Sequence, residues 1–371
     1  MDVLTISLGR NILKGGSRER ERMHSYAKHL DALHIVVLTR REHGFAGEIH
    51  EGSLHLYPTN SFSRILMLWD SFCIARKIIQ ESRTSPLRIS AQDPLEIGWL
   101  CFLLSRMQNT KLHVQVHGDY FSSEDWVGHS FLRRLRRCIA LFLLKHTPRI
   151  RVVSERIKKS LIERGIDASR ISVLPIRPEI ESFLKVAHIF RKKPPYTFLF
   201  IGRLAAEKNI PRIVRAFSVI HEKFPESSLR IVGEGEMQKT IEELVESHNL
   251  RKSVAIVPWT EDVPGEMEKA DIFLLASLHE AYALTLVEAM AVGLPIVTTD
   301  VGCVGEVMKD SVHGVVVYEK DVSSYVSAMD RMVNNQEFRK LCGENGRKTA
   351  QALAGVSVDE YAETWVTALK E

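Results

Sequence analysis

Glu280 and Glu288, two carboxylates with seven residues between them, frame the stretch of this chain best suited to chemistry. Ala281 and Ala283 lie between them, small enough for the backbone to approach a ligand closely. Leu284, Val287 and Met290 recur at helical spacing, Gly293 is a left-handed stop and Pro295 lies beyond it, so the pattern predicts a helix starting just after Ala283. The first amides of a helix have no intrahelical acceptor and sit at the positive end of its dipole. Ala283, Leu284, Thr285 and Leu286 are therefore expected to present N–H groups to a phosphate. Glu288, one turn deeper, is expected to accept hydrogen bonds from neutral hydroxyls such as those of a ribose. Upstream, Gly202-Arg-Leu-Ala-Ala-Glu-Lys-Asn209 supplies a planar fork in Arg203 and a mobile point charge in Lys208. That pairing suits a diphosphate that gains charge as it departs. Gly233-Glu-Gly235 is by itself a weak nucleotide signal.

The elements that must position these residues alternate between strand and helix, the pattern of parallel α/β sheets. Strands are predicted at 3–8, 35–39, 87–90, 112–116, 150–153 and 171–174, with a helix over 17–30 after Gly15-Gly16. A Pro-rich stretch from Pro175 to Pro195 marks a domain boundary. A second series follows at 196–201, 229–232, 254–257, 272–276, 296–298 and 315–317, and residues 336–370 read as helical. Open α/β sheets bind ligands at the carboxyl ends of their strands, and the polar residues singled out above all follow predicted strands.

The chain has 371 residues, enough for two domains with separate cores, and 45% apolar content, ordinary for a globular protein. No apolar run approaches the roughly 18 residues needed to span a bilayer. The N-terminus reads as a strand and not as a signal peptide, so a cytoplasmic protein is expected. Five scattered cysteines without a CxxC are expected to be reduced, packed thiols, which argues against disulfides and structural zinc. The net charge of +4 divides unevenly, +10 over residues 1–190 and −6 over 191–371, and a basic half favours acidic partners. The segment 131–145 sets Leu132, Leu135, Ile139 and Phe142 on one helical face beside Arg133, Arg134, Arg136 and Arg137. Such a helix either rests on an anionic membrane surface or, more commonly, buries that apolar face in its own domain. The basic residues are not interleaved with aromatics as a nucleic-acid surface requires. A dinucleotide dehydrogenase is disfavoured because Gly233-x-Gly235 lacks its third glycine.

Gly202-Arg203-Leu204, Glu207-Lys208-Asn209, Gly233-x-Gly235, the 280/288 pair and Ala-x-Gly-Leu-Pro-Ile-Val, in this order and spacing, resemble the GT-B-fold retaining glycosyltransferases of family 4 (group 1). The resemblance extends over essentially the whole chain. It implies an α/β architecture of two Rossmann-like, doubly wound parallel-sheet domains facing a central cleft. The expected bounds are 1–185 for an acceptor-binding domain, 186–350 for a nucleotide-sugar-binding domain, and 351–371 for a helix crossing back to the first. By the same resemblance Arg203 and Lys208 grip the leaving diphosphate, Glu280 faces the donor sugar, Glu288 holds the ribose, and Thr285 and Leu286 give amides to phosphate. Gly15 and Gly16 belong to a loop that closes on the donor, and His117, in His117-Gly118-Asp119, lies beside the transferred sugar. The implied partners are a nucleotide-sugar donor and a glycan or lipid-linked acceptor, with peripheral contact at the inner face of the cell membrane and no nucleic acid.

Three departures stand out: Ala281 and Ala283 where the family usually has glycine, Leu174-Pro-Ile-Arg-Pro178 in the linker, and Trp259 near the expected base site. Trp259 reads either as a core or hinge aromatic or as a stacking partner for the base. No Asp-x-Asp follows a strand, the Glu124-Asp125 pair sits in a polar loop, and the cations can neutralise the diphosphate. No metal or other cofactor is therefore expected. Glu280 and Glu288 are poorly disposed as an acid–nucleophile pair, which favours a front-face displacement. An inactive or catalytically weak subunit that binds a sugar nucleotide, a nucleotide-sugar epimerase and a glycan phosphorylase remain as alternatives on this fold.

Overall fold

The computed structural model describes residues 1–82, 87–118, 120–121, 131–186 and 188–370. Asp119, Glu124 and Asp125 lie outside them. Two compact units emerge: Met1–Arg177 with Ser357–Glu371, and Pro178–Val356.

In the first unit the elements run β1 (Asp2–Ser7), α1 (Arg18–Ala27), β2 (Ala32–Val37), β3 (Ile49–Glu51), β4 (Leu54–Pro58), α2 (Arg64–Glu81), β5 (Leu87–Ala91), α3 (Glu96–Gln108), β6 (Lys111–Val116), α4 (Phe131–His146), β7 (Arg149–Val152), α5 (Glu155–Ile162) and β8 (Ile171–Val173). The sheet order is β3-β4-β2-β1-β5-β6-β7-β8. Only the β3–β4 pair is antiparallel. Parallel strands covered on both faces are buried along their length, as all six residues of β1 are and all of β6 after Lys111, His113 and Gln115 included.

The alternating pattern names no element over 40–82, yet a hairpin and the 18-residue α2 form there. The reason lies in α2 itself. Its buried side is Ser71, Ala75, Ile78 and Ile79, while Ile65, Leu66, Leu68 and Trp69 face outward, so no single apolar stripe marks it. A related correction concerns α4. The face Leu132, Leu135, Ile139, Phe142 is not the one turned to the core; Ala140, Leu143 and Leu144 are buried, and Leu132, Leu135 and Phe142 are exposed.

The second unit runs α6 (Glu181–Leu184), β9 (Thr197–Ile201), α7 (Ile210–Lys223), β10 (Ser228–Val232), α8 (Gln238–Ser247), β11 (Val254–Val257), α9 (Val263–Glu268), β12 (Ile272–Leu275), α10 (Leu284–Val292), β13 (Ile296–Thr299), β14 (Gly314–Val317), α11 (Val322–Asn334) and α12 (Gln336–Ala354). Its sheet is wholly parallel, ordered β11-β10-β9-β12-β13-β14. All four residues of β12 and of β13 are buried.

The segment 336–370 is two helices and not one. Ser357 and Glu360 form a capping box, the Glu360 amide donating to Ser357 Oγ (3.1 Å) and the Ser357 amide to Glu360 Oε2 (2.8 Å). It starts α13 (Val358–Lys370), which packs on α1 in the first unit. There Trp365 stacks on Tyr26 with ring centroids 4.8 Å apart, and Tyr361 joins the same core. All five cysteines are free; Cys101, Cys303 and Cys342 are buried, but Cys73 and Cys138 are exposed on α2 and α4, against the expectation of packed thiols.

Candidate functional site

In the second unit the chain leaves β9 for β10 on one side and later returns to β12 on the other, so the carboxyl ends of β9 and β12 flank a topological switch point. Such a point opens a crevice where ligands of doubly wound sheets bind. The loops after these two strands hold the expected residues. Lys208 Nζ donates to Glu280 Oε1 at 2.5 Å, and Ser277 Oγ donates to the same oxygen at 2.7 Å. The Leu278 amide donates to the Glu207 carbonyl at 2.8 Å, tying one loop to the other. Behind them Thr299 Oγ1 donates to the Ser277 carbonyl at 2.6 Å. Lys208 and Glu280 are largely buried, whereas Arg203 is ion-paired to Glu207 with its side chain 67% exposed. Sequence reasoning passed over Ser277 and gave Glu207 no role beyond its place in the motif; the signal for Ser277 was a small hydroxyl residue directly after a buried strand.

Gly202 and Gly233 have φ of 155° and 149°. A Cβ on Gly233 would lie 1.9 Å from the Gly202 carbonyl oxygen, and one on Gly235 would lie 2.3 Å from that of Leu204. These glycines let the loops after β9 and β10 interlock, which holds the backbone of Arg203 in place.

Helix α10 starts where expected. Ala283 precedes it at φ 62°, ψ 62°, a left-handed conformation more at home in glycine, and Gly293 closes it at φ 94°. Leu284 and Thr285 begin the helix. The Leu286 amide already donates to the Ala283 carbonyl at 3.0 Å, a first turn wound i to i−3, so the set of amides open to an anion is shorter than expected. Glu288 stands on α10 with no hydrogen-bond or ion-pair partner among the described residues, and burial pushes its carboxyl up to about 7. Trp259, beyond β11, is 54% exposed, which removes the reading of a core aromatic and leaves an indole free to stack.

Gly15, Gly16 and His117 belong to the first unit. Gly16 is left-handed at φ 71°, and nothing lies within 4 Å of a Cβ placed on either glycine. The first unit has its own switch point between β1 and β5, and a cavity of about 520 Å³ opens there. Ser7, Gln92, Asp93 and His117, which follow or end strands, line it together with Tyr26, Tyr361 and Trp365. The buried Thr5 hydroxyl, on a residue that lines this cavity, has no hydrogen-bond partner among the described residues. His117 Nε2 is 3.2 Å from Gln115 Oε1, which also accepts from Arg151 Nη1 at 2.6 Å. Burial and the guanidiniums of Arg151 and Arg22 hold His117 down to about 3, so the ring is neutral at physiological pH. A neutral imidazole can accept or donate one hydrogen bond to a sugar hydroxyl without adding charge.

Two family models match: Glycosyl transferases group 1 over residues 184–349, and Glycosyl transferase 4-like domain over residues 20–177. An Escherichia coli relative, the UDP-Gal:alpha-D-GlcNAc-diphosphoundecaprenol alpha-1,3-galactosyltransferase, is 27% identical over 233 residues, 60% of this chain and 59% of its own length. A Bacillus subtilis poly(glycerol-phosphate) alpha-glucosyltransferase is 28% identical over 47% of this chain and 26% of its own length. The chain spans about half the length of the curated relatives it matches, with coverage of 59%, 47% and 39% among them. Sucrose-phosphate synthase from Thermosynechococcus elongatus superposes with a TM-score of 0.76 at 18% identity, covering 100% of this chain and 98% of the other. Anabaena HepE, solved with UDP and glucose, gives 0.73 at 16% identity, covering 100% and 99%. At such identities the likeness is one of fold.

Proposed function

The chain belongs to the group 1 glycosyltransferases, and from that premise we propose that it transfers a hexose-type sugar from a nucleoside-diphosphate sugar to a glycan or lipid-linked acceptor, with retention and without a metal ion. The observation that carries the reading is the Lys208–Glu280–Ser277 cluster at the switch point of the second unit, one short loop away from the start of α10. In this reading the sugar C1–O bond to the β-phosphate breaks as the acceptor oxygen bonds to C1 on the same face. The acceptor proton passes to the departing phosphate oxygen, and nucleoside diphosphate leaves. Arg203, Lys208 and the amides of Leu284 and Thr285 stabilise the charge that grows on the diphosphate. Glu280, held by Ser277, orients the sugar, Glu288 receives the ribose hydroxyls, and Trp259 stacks near the base.

The acceptor is assigned to the cavity of the first unit, beside His117. One relative is named for a UDP-galactose donor and a diphosphoundecaprenol-linked acceptor, and one neighbour was solved with UDP and glucose. A uridine donor and a lipid-linked glycan at the inner face of the membrane are accordingly the pair to try first. The left-handed geometry at Ala283 is kept without glycine, so the start of α10 keeps its turn for a donor phosphate; product formation separates a working enzyme from a binding-only subunit.

The test is product analysis by NMR after incubation with nucleotide sugars in excess chelator. An α-linked product from an α-donor, with stoichiometric nucleoside diphosphate, is expected. An inverted product, or turnover only with added divalent cation, contradicts the mechanism.

A further inference from the structure

Strand register gathers a row of buried polar side chains next to the cavity of the first unit. His113 and Gln115 share one face of β6, and His117 follows two residues on, just past the strand end. The pairing of β6 with its neighbours sets Ser90 of β5 against His113 and Arg151 of β7 against Gln115. Ser90, His113, Gln115 and Arg151 are each at most 5% exposed, so the bonds among them form away from water. We propose that Gln115, set by Arg151, is a positioning residue that fixes His117 as its Nε2–H tautomer and leaves Nδ1 to accept a hydrogen bond from a hydroxyl of the acceptor substrate. This role rests on the placing of that substrate in the cavity beside His117.

Arg151 fixes the direction of every bond in the row. A guanidinium only donates, so the Gln115 atom 2.6 Å from Arg151 Nη1 is the amide oxygen Oε1. Gln115 Nε2 is left to donate to Ser90 Oγ at 3.0 Å. Ser90 in turn gives its one hydrogen to His113 Nδ1 at 3.1 Å. His117 Nε2 stands 3.2 Å from the same Oε1, which has no hydrogen to offer, so the imidazole brings one. Burial, with Arg151 and Arg22 nearby, keeps the ring neutral at physiological pH, and a neutral imidazole carries a single N–H. Nδ1 is then a lone pair without a partner among the described residues, on a side chain that lines the cavity. Arg151 is itself locked. Its Nε and Nη2 donate to the Leu174 carbonyl at 3.1 and 2.9 Å, and Nη2 also donates to the Tyr361 hydroxyl of α13 at 2.6 Å. Tyr361 passes its own hydrogen to the Pro175 carbonyl at 2.7 Å. The resulting specificity is for a hydrogen-bond donor: a hydroxyl satisfies Nδ1, whereas a deoxy or O-methylated position leaves it unpaired against the substrate.

Proton–nitrogen NMR of the full chain with isotope-labelled histidine reads the tautomer without any substrate, and His117→Asn identifies the signals. At neutral pH, His117 and His113 should each hold hydrogen on Nε2 and show a bare Nδ1. Gln115→Glu, which keeps an oxygen toward both Arg151 and His117, should preserve the Nε2–H of His117, whereas Gln115→Met should give a mixture of tautomers. Turnover is measured with UDP-galactose and N-acetylglucosaminyl-diphosphoundecaprenol, the pair for which one relative is named. Gln115→Met should lower kcat about tenfold at nearly unchanged donor KM, and Gln115→Glu should recover most of the loss. Hydrogen on Nδ1 of His117 in the unaltered chain, or a mixture of tautomers there, overturns the proposal whatever the variants do. So does an unchanged kcat once Gln115→Met has mixed the tautomers. No transfer to any acceptor with the Nε2–H tautomer intact counts against the proposed function alone. A wrong tautomer in a chain that does transfer counts against Gln115 alone.

Discussion

Glu288 carries the sharpest consequence at the scale of a single residue. Its carboxyl titrates at about 7 in the fold against an ordinary 4.5, because burial penalises the charged form. The folded protein therefore keeps a proton that the unfolded chain has lost, and stability falls as pH rises from about 4.5 to about 7. The full cost, on the order of 3 kcal/mol, is reached above that window. Glu288→Gln should raise Tm at pH 8 and change it little at pH 4.5; equal Tm at pH 8 would contradict the burial account. Ribose hydroxyls would donate to the carboxylate, so nucleotide affinity should increase with pH through about 7 and lose that dependence in Glu288→Gln, as titration calorimetry would show.

Ala283 gives a second prediction. A left-handed alanine costs about 1–2 kcal/mol, part of which glycine returns to the unfolded chain as entropy, so Ala283→Gly should stabilise by up to about 1 kcal/mol in denaturant unfolding. Gly302→Ala should instead destabilise by about 2 kcal/mol or more, because its Cβ would lie 2.6 Å from the Tyr282 carbonyl at φ 58°. At this scale the residue types and spacing pointed to Lys208, Glu280 and α10, since those depend on local pattern. The Leu286 amide and the exposure of Trp259 depend on how turns wind and which loops cover them, and one chain's residue order holds neither.

Among the elements, β12 and its loop act as a frame. Thr299 holds Ser277, and Ser277 holds Glu280. Ser277→Ala should lower kcat about tenfold while leaving donor KM nearly unchanged, as expected for losing one hydrogen bond to a charged group that orients the sugar. A rise in KM with kcat unchanged would recast Glu280 as a simple binding group. Helix α13 is the other decisive element. Its Trp365 is buried against Tyr26, and Arg151 Nη2 donates to the Tyr361 hydroxyl at 2.6 Å. Trp365→Ala should cost about 3–5 kcal/mol, and unfolding monitored in the first unit should report it.

The elements most legible beforehand were the parallel strands, whose apolar runs are bounded by Gly, Pro and polar loops. The β3–β4 hairpin and α2 were not legible, because β3 is only three residues long and α2 shows apolar side chains on two sides. The capping box at Ser357–Glu360 was present as Ser-x-x-Glu, and it explains why the terminal helical stretch is two helices.

For the whole molecule, each unit repeats one device: a sheet, parallel except for the β3–β4 pair, whose strand order reverses about a pair of central strands, with polar residues gathered at the carboxyl ends of strands near that reversal. In the second unit these are Arg203, Lys208, Ser277 and Glu280; in the first they are Ser7, Gln92, Asp93 and His117. The central claim is that the second unit's switch point binds a nucleoside diphosphate. Titration calorimetry of the full chain with UDP, GDP and ADP, in chelator, tests it most directly. One nucleotide should bind, and Lys208→Ala and Glu288→Ala should each weaken it about tenfold or more while Ile65→Glu does not. Binding that is indifferent to Lys208 and Glu288, or no binding by any of the three, would contradict the account.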